Sequence, residues 1–252
     1  KRKIEEGALA TKKKMEQATS LIDGLAGERQ RWTDDSKKFE ETKLKMVGDV
    51  ALGCAFVSYC GPFNNAFREL LVIAKFTRDL RDRNLPCTQG IDLTAFLGDI
   101  GTIGDWNLEG LPTDPLSIEN GILVTRSSRY PKLIDPQGQA LNWIRNHEAD
   151  RLPSFGITVL SAPRLRDQLE FAMAEGQALI ISGVEETIDP MLTPVLEKQI
   201  ITKAKSKYIN LSDKLCEFND DFSMYLTTRL PNPHFSPEDQ AKTTVVDFTV
   251  TQ

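Results

Sequence analysis

Apolar residues return at alternating intervals of four and three over residues 1–47, a stretch that contains no proline. The positions of this repeat are Ile4, Ala8, Thr11, Met15, Ala18, Ile22, Leu25, Arg29, Trp32, Ser36, Phe39, Lys43 and Met46. About six heptads along one seam predict a single long helix that forms a coiled coil. Because no other segment of the sequence carries matching heptads, we expect the partner helix to lie in another chain or in sequence outside this segment.

The seam becomes weaker towards its C-terminal end, where polar residues occupy Arg29, Ser36 and Lys43. Trp32 and Phe39 lie between them and are better anchors for a single register. Two interpretations stay open. Polar seam positions lower the cost of sliding between registers, or they mark the end of an ordinary coiled coil whose long basic side chains reach solvent.

Residues 48–86 have the pattern of a compact helical connector that is interrupted at Gly61-Pro62. A second helix is predicted from Asn64 to Arg83. Its inward-facing residues are predicted to be Phe67, Leu70, Leu71, Ala74 and Leu80.

From about residue 87 onward, short apolar runs alternate with helical segments. The predicted strands are Gly121–Thr125, Tyr130–Ile134, Ile157–Leu160, Ala178–Ile181, Phe222–Thr227 and Val245–Val250. The predicted helices are Ala140–Ala149, Arg164–Glu175 and Met191–Lys198. This order predicts an α/β sandwich with a mainly parallel sheet. A small inserted hairpin is expected, with strands Lys207–Leu211 and Lys214–Phe218 that turn at Ser212-Asp213.

Composition excludes several classes of partner without selecting one. The chain has 252 residues and a net charge of −5, so nothing in its overall charge favours nucleic acid or an anionic membrane as a partner. No apolar run approaches the roughly 18 residues of a membrane span. The four cysteines are scattered and form no CxxC pair, so we expect neither a metal site nor a disulfide framework.

In a fold of this kind, a phosphate binds at the first strand–loop–helix turn. The corresponding residues here are Asp135, Pro136, Gln137, Gly138, Gln139, Ala140, Leu141 and Asn142. Aligned with the motif GxxxxGK[ST], Leu141 stands at the lysine that reaches the phosphates and Asn142 at the hydroxyl that holds Mg²⁺. Asp135 and Ala140 stand at the two glycines. Because both functional groups are missing and Asp135 adds negative charge, we expect a degenerate phosphate loop.

The other two elements of such a site are altered as well. An acidic pair is expected after the strand Ala178–Ile181, but Ser182-Gly183 stands there. Glu185 and Glu186 follow shortly afterwards and are either displaced substitutes or solvated turn residues. A polar sensor is expected after the strand Phe222–Thr227; the sensor-like candidates are Arg229 and, three residues later, Asn232.

Several blocks of sequence, in their order along the chain, resemble dynein heavy chains of the axonemal, outer-arm type. The blocks are Gly48–Val50, Phe56–Phe63, Trp106–Pro112, Ser117–Ile122, Arg129–Ala140, Thr227–Phe235 and Ala241–Thr251. The resemblance implies that 1–47 is the returning strand of the stalk coiled coil. It implies that 48–86 closes the preceding AAA+ module, and that 87–252 is the large domain of the fifth, degenerate AAA+ module.

The resemblance further implies a segment of an ATP-driven microtubule motor in the axoneme of a cilium or flagellum, on the cytoplasmic side. Implied partners are the outgoing stalk helix, neighbouring AAA+ modules, other dynein subunits and, through the stalk tip, microtubules. No cofactor is expected in this segment, because ATP and Mg²⁺ are implied for other modules. The segment is therefore expected to couple the ring to the stalk without being an enzyme itself. The alternatives are an active P-loop NTPase with an attached coiled coil, and a non-motor coiled-coil scaffold.

An AAA+ module normally lends an arginine finger to its neighbour from just before the last strand. Here the residues before Val245 contain Lys242 and no arginine. Since lysine does not replace arginine in phosphate contacts, weak or no assistance to the neighbouring module is expected.

Overall fold

The computed structural model describes residues 2–203 and 206–249 of the chain. The chain divides into two compact units, one formed by Lys1–Val50 with Leu80–Thr88 and the other by Ala51–Asp79 with Gln89–Gln252. The side chains of Ile4 and Ala8, and the predicted strand end at Val250, lie outside the described part. The domain boundaries expected at 47/48 and 86/87 remain a prediction.

The predicted long helix is confirmed, and it continues further than expected. Helix α1 runs from Arg2 to Tyr59. Within the first unit, Asp49 is buried, and its carboxylate accepts hydrogen bonds from the backbone N–H and the hydroxyl of Thr88, at 2.6 and 2.7 Å. A Cβ at Gly48 would overlap the carbonyl oxygen of Pro86. Gly48-Asp49 therefore fixes the returning segment 86–88 against the helix.

The helical run after Gly61-Pro62 contains a π-helix that the sequence did not predict. Its parts are α2 (Asn65–Glu69), the π-helix Leu70–Phe76 and α3 (Thr77–Asp82). The predicted inward face is wrong in part, because Phe67, Leu70 and Ala74 are exposed while Leu80 alone of the five is buried. Arg68 and Val72 are buried instead. A π-helical turn holds more residues than an α-helical turn, so a pattern read with a period of 3.6 loses its phase there.

The second unit contains the parallel α/β sheet that the alternating pattern predicted. Its strands are β1 (Pro131–Ile134), β2 (Thr158–Val159), β3 (Ala178–Ser182), β7 (Ser223–Thr228) and β8 (Thr244–Asp247). They lie in the order β2-β3-β7-β1-β8, and every neighbouring pair is parallel. In β3, Ala178–Ile181 form an unbroken apolar run and are all buried, as is typical of a parallel strand that is covered on both faces.

Helices surround this sheet and supply the rest of the core. They are α4 (Leu93–Leu97), α5 (Ile100–Leu108), α6 (Pro115–Arg126), α7 (Gln139–His147), α8 (Leu165–Glu175), α9 (Thr193–Leu196) and α10 (Pro237–Lys242), with 3-10 turns at Ala149–Arg151 and Pro190–Leu192. Trp143 of α7 is fully buried and makes aromatic contacts with Trp106 and Phe248. Along the described helices, no stretch combines the length and the apolar character needed to span a membrane.

One predicted strand, Gly121–Thr125, is wrong, because these residues belong to helix α6. Asp114 caps the helix by accepting from the N–H of Ser117 at 2.9 Å, and Pro115 occupies its first turn. The residues from Asn120 to Val124 are all buried. A helix buried on every side has no polar face, so its apolar run cannot be distinguished from a buried strand by periodicity.

The predicted hairpin is confirmed and extends to three strands. β4 (Ile201–Lys203), β5 (Ser206–Leu211) and β6 (Lys214–Phe218) form a separate antiparallel sheet. Ser212 and Asp213 turn between β5 and β6 with φ of 45° and 76°. Two consecutive positive φ angles are typical of the type I′ turn in two-residue hairpin loops.

Candidate functional site

The residues predicted to form a phosphate loop come together in one tight turn between β1 and α7. Gly138 has φ of 75°, a left-handed conformation that favours glycine, and its N–H donates to the carbonyl of Asp135 at 3.3 Å. The N–H of Asp135 donates to the carbonyl of Thr228 at 2.9 Å. The turn therefore lies against the end of β7, at the edge of the sheet where ligands of such folds bind.

The Asp135 carboxylate occupies the place that an anion would take at the start of α7. Its Oδ1 accepts from the backbone N–H of Gln139 and its Oδ2 from that of Leu141, both at 2.8 Å. Asp135 is only 2% exposed. The first N–H groups of a helix have no partner within the helix and carry a partial positive charge, which is why phosphates bind there. Here the chain supplies its own anion.

The remaining residues of the turn offer no cationic or hydroxyl group. Ala140 is fully buried, Leu141 is half-buried, and Asn142 is exposed. Pro136 and Gln139 are half-buried, while Gln137 is exposed.

A cavity of about 420 Å³ lies beside the first residue of α7. Its lining residues are Asn65, Asp114, Pro115, Leu116, Ser117, Asn120, Gln139, Phe248 and Thr249. These lining residues include a carboxylate and no lysine or arginine. The cavity therefore has room for a ligand but no positive side chain for a phosphate.

Ser182 and Gly183 lie where the acidic pair was expected, at the end of β3 beside β7. The Ser182 hydroxyl donates to the carbonyl of Thr158 at 3.2 Å, and Gly183 has φ of 71°. Glu185 and Glu186 are exposed to solvent. Across the part of the chain that the structure describes, no cluster of His, Cys, Asp or Glu side chains could hold a metal ion.

The sensor-like residues lie beyond β7 and point to solvent. Thr228 ends the strand, and its hydroxyl accepts from the N–H of Leu230 at 3.2 Å. Arg229 and Asn232 are both exposed. The structure does not bring either side chain into the turn at Asp135.

Lys132 is an unusual residue of this sheet that the sequence analysis missed. It lies in β1, is fully buried, and its ammonium has no hydrogen-bond partner within the described residues. The ammonium lies 3.7 Å from the centre of the Phe235 ring. Burial lowers the pKa of Lys132 to about 8, and the charge of Asp239 opposes part of this shift. The signal available in the sequence was a lysine inside the apolar run Tyr130–Ile134.

Lys242, at the arginine-finger position, is already paired. Its ammonium donates to Glu238 at 2.5 Å and lies 3.6 Å from Glu197. The hydrogen bond to Glu238 raises the pKa of the lysine. Its charge is thus compensated within the module.

The seam residues lie on α1, in the first unit. Arg29, Ser36 and Lys43 are exposed, as are Trp32 at 70% and Phe39 at 76%. Exposed aromatic side chains at heptad spacing mark a helix face that is suited to a partner helix.

Comparison with known sequences identifies both parts of the chain. The family described as the ATP-binding dynein motor region matches residues 104–252, and the microtubule-binding stalk of the dynein motor matches residues 1–79.

Similar full-length proteins extend the match over nearly the whole chain. The flagellar outer arm dynein gamma chain of Chlamydomonas reinhardtii is 51% identical over 93% of this chain. Dynein axonemal heavy chains 8 and 5 of Mus musculus are 46% and 45% identical over 95% and 100% of it. The chain spans only about 5% of the length of each of these relatives. With stalk sequence followed by motor-region sequence, the chain belongs to the dynein heavy chain family.

Proposed function

We propose that this chain couples the AAA+ ring of an axonemal dynein mechanically to the microtubule-binding stalk, without binding or hydrolysing ATP itself. The observation that supports the absence of ATP binding is the position of the Asp135 carboxylate at the start of α7. It uses the N–H groups of Gln139 and Leu141 that a β-phosphate would need.

The electrostatics at this turn oppose a nucleotide. A phosphate brought close to the Asp135 carboxylate meets repulsion on the order of 1–4 kcal/mol per charge pair. The Walker lysine and the Mg²⁺-binding hydroxyl, which offset phosphate charge in active modules, are replaced by Leu141 and Asn142. Ser182-Gly183 supplies no carboxylate for metal or water. The groups present therefore do not fit MgATP, and no hydrolytic step is assigned to them.

The mechanical half of the proposal is supported by α1. This helix continues without interruption from the seam residues to Tyr59. A continuous helix can transmit a displacement along its axis. The exposed Trp32 and Phe39 suit packing against the outgoing stalk helix.

The partners follow from this role in the parent motor. They are the outgoing stalk helix, the neighbouring modules of the heavy chain, the other dynein subunits and, through the stalk tip, the microtubule. ATP and Mg²⁺ act in other modules of the parent chain. The place of action is the axoneme of a cilium or flagellum, on the cytoplasmic side.

Titration calorimetry of the folded chain with MgATP tests the nucleotide half. We expect no heat of binding at millimolar ATP, with or without Mg²⁺, in a sample whose cooperative melting demonstrates that it is folded. Micromolar affinity that depends on Mg²⁺ would refute the proposal and favour the active NTPase. The coupling part of the proposal is tested by measuring the microtubule affinity of a heavy chain that contains this segment. We expect this affinity to change when ATP is added. A wild-type motor whose microtubule affinity does not change with ATP would argue against coupling.

A further inference from the structure

Arg68 holds the turn that follows helix α1. Its guanidinium is 2% exposed. The Nε group donates to the carbonyls of Cys60 and Phe63, at 3.0 and 2.8 Å, and Nη2 donates to the carbonyl of Gly61 at 3.2 Å. One side chain thus binds three carbonyl groups of the turn that follows α1.

The same guanidinium connects this turn to α6 and to the end of β8. Nη1 donates to Glu119 at 2.9 Å and Nη2 to the side-chain oxygen of Asn120 at 2.5 Å. The Asn120 amide then donates to the carbonyl of Asp247 at 2.7 Å. The backbone N–H of Asp247 in turn donates a hydrogen bond to the carbonyl of Gly61 at 3.1 Å. These bonds form a closed ring, which we call the Arg68 joint.

The backbones in this joint approach too closely for a side chain at one position. A Cβ at Gly61 would overlap the carbonyl oxygen of Val245 in β8. The joint also reaches the candidate phosphate site, because the N–H of Phe248 donates to the carbonyl of Ile134 at 2.9 Å, directly before Asp135.

Arginine is specifically suited to this arrangement. Its planar guanidinium presents donors in fixed directions, whereas a lysine ammonium is a compact point charge with three rotating donors. A buried polar network is rigid when every group in it has a hydrogen-bond partner. Breaking any one bond leaves a buried polar group without a partner in a medium of low dielectric constant, which is costly. The Arg68 joint therefore favours one relative position of the turn, α6 and β8.

We propose that Arg68 is the positioning residue of a rigid joint through which movement of β8 and α6 reaches the C-terminal end of α1. The proposal rests on the coupling function proposed above and names the residues that carry it. Asn120 is the second element, because its side chain connects the guanidinium to Asp247 on the side of the ring opposite the Gly61 carbonyl.

Two variants weaken the joint in different ways. Arg68→Lys keeps the charge but cannot make all five contacts. Asn120→Asp keeps an acceptor for Arg68 and adds a carboxylate beside it, but loses the amide that donates to Asp247, so it removes one of the two connections to β8. Arg145→Lys, at an exposed position of α7, is the matched control.

The test uses a dynein heavy chain that contains this segment, and measures microtubule affinity with and without ATP, basal ATPase and melting temperature. We expect the ratio of the two affinities to shrink by about fivefold or more in both joint variants, the lower end of typical coupling energies. Basal ATPase and the control variant should keep wild-type values. A merely structural role would lower the melting temperature without changing the ratio.

The outcomes separate this proposal from the proposed function. A folded Arg68→Lys or Asn120→Asp motor with the full wild-type ratio overturns the joint, while the coupling function stands. A wild-type motor without any response to ATP overturns the coupling function itself. If Arg68→Lys fails to fold, Asn120→Asp, in which the new carboxylate can pair with Arg68, decides the question.

Discussion

The ammonium of Lys132 lies 3.7 Å from the centre of the Phe235 ring, inside the α/β unit and away from water. An aromatic face attracts a cation through its quadrupole, by about 2 kcal/mol or more when the pair is desolvated. This contact and the charge of Asp239 offset part of the cost of burying Lys132.

Replacing Lys132 with methionine should stabilise the fold and remove a dependence on pH. The folded chain releases the Lys132 proton at a pKa of about 8, whereas the unfolded chain keeps it up to the ordinary value of 10.5. Between these values the unfolded state binds more protons, so wild-type stability should rise with pH through that window. At pH 7 we expect Lys132→Met to gain roughly 1–3 kcal/mol. Urea unfolding at pH 7 and at pH 9.5 measures both effects.

The control for this experiment is Lys75→Met, at an exposed position. It should leave stability and its pH dependence unchanged. A Lys132→Met variant that is less stable at pH 7, or a wild-type chain whose stability falls across the window, would contradict the expectation.

Removing the Asp135 carboxylate should uncover an anion site. Asp135→Ala is expected to cost about 1–3 kcal/mol, because the half-buried N–H groups of Gln139 and Leu141 lose their acceptor. Inorganic phosphate should then raise the melting temperature of the variant but not that of the wild type. Asp99→Ala, which removes the cap of α5 in an exposed position, is the control and should not respond. Equal responses to phosphate in wild type and Asp135→Ala would mean that the carboxylate does not occupy the site.

Lys242→Ala should leave the ATPase of the whole motor within about twofold of wild type, because Glu238 and Glu197 already compensate its charge. A functional arginine finger contributes about 10³–10⁵ in rate. Steady-state ATPase of the folded variant is the measurement. A loss of about tenfold or more would assign Lys242 a role in a neighbouring site.

Making the seam apolar should lock the register of the stalk, if the seam slides. Arg29→Leu, Ser36→Ile and Lys43→Leu together replace three exposed polar positions of α1. Because alternative registers must differ by only a few kcal/mol for a nucleotide to select between them, three apolar seam contacts should fix one.

Microtubule affinity of the triple mutant should stop responding to nucleotide while basal ATPase persists. The matched control carries the same kinds of substitution on the opposite face of α1. A normal response in the triple mutant would show that register choice does not reside in this segment.

The sequence predicted the parallel sheet and the turn at Asp135, because buried strands and a glycine before a helix leave a clear pattern. It also predicted that the negative charge of Asp135 would repel a phosphate. It did not predict that the carboxylate folds back onto Gln139 and Leu141, since residue identity does not specify a side-chain direction.

Other features were missed for different physical reasons. Gly121–Thr125 was assigned to a strand although the cap Asp114 and Pro115 marked a helix, because the apolar run outweighed the capping signal. The sequence pattern does not single out Arg68, because an arginine in a helical segment is usually solvated. Its buried acceptors come from residues as far away in sequence as Asn120, which no local pattern reveals.

The π-helix Leu70–Phe76 has a consequence for how this helical segment can change in length. Each residue of an α-helix turns the chain by about 100°, so losing one residue there rotates everything that follows. A π-helical turn already holds a surplus residue, and its loss would restore an ordinary α-helix. Deleting a single residue between Leu70 and Phe76 would therefore let Arg68 keep its partners and α3 its orientation.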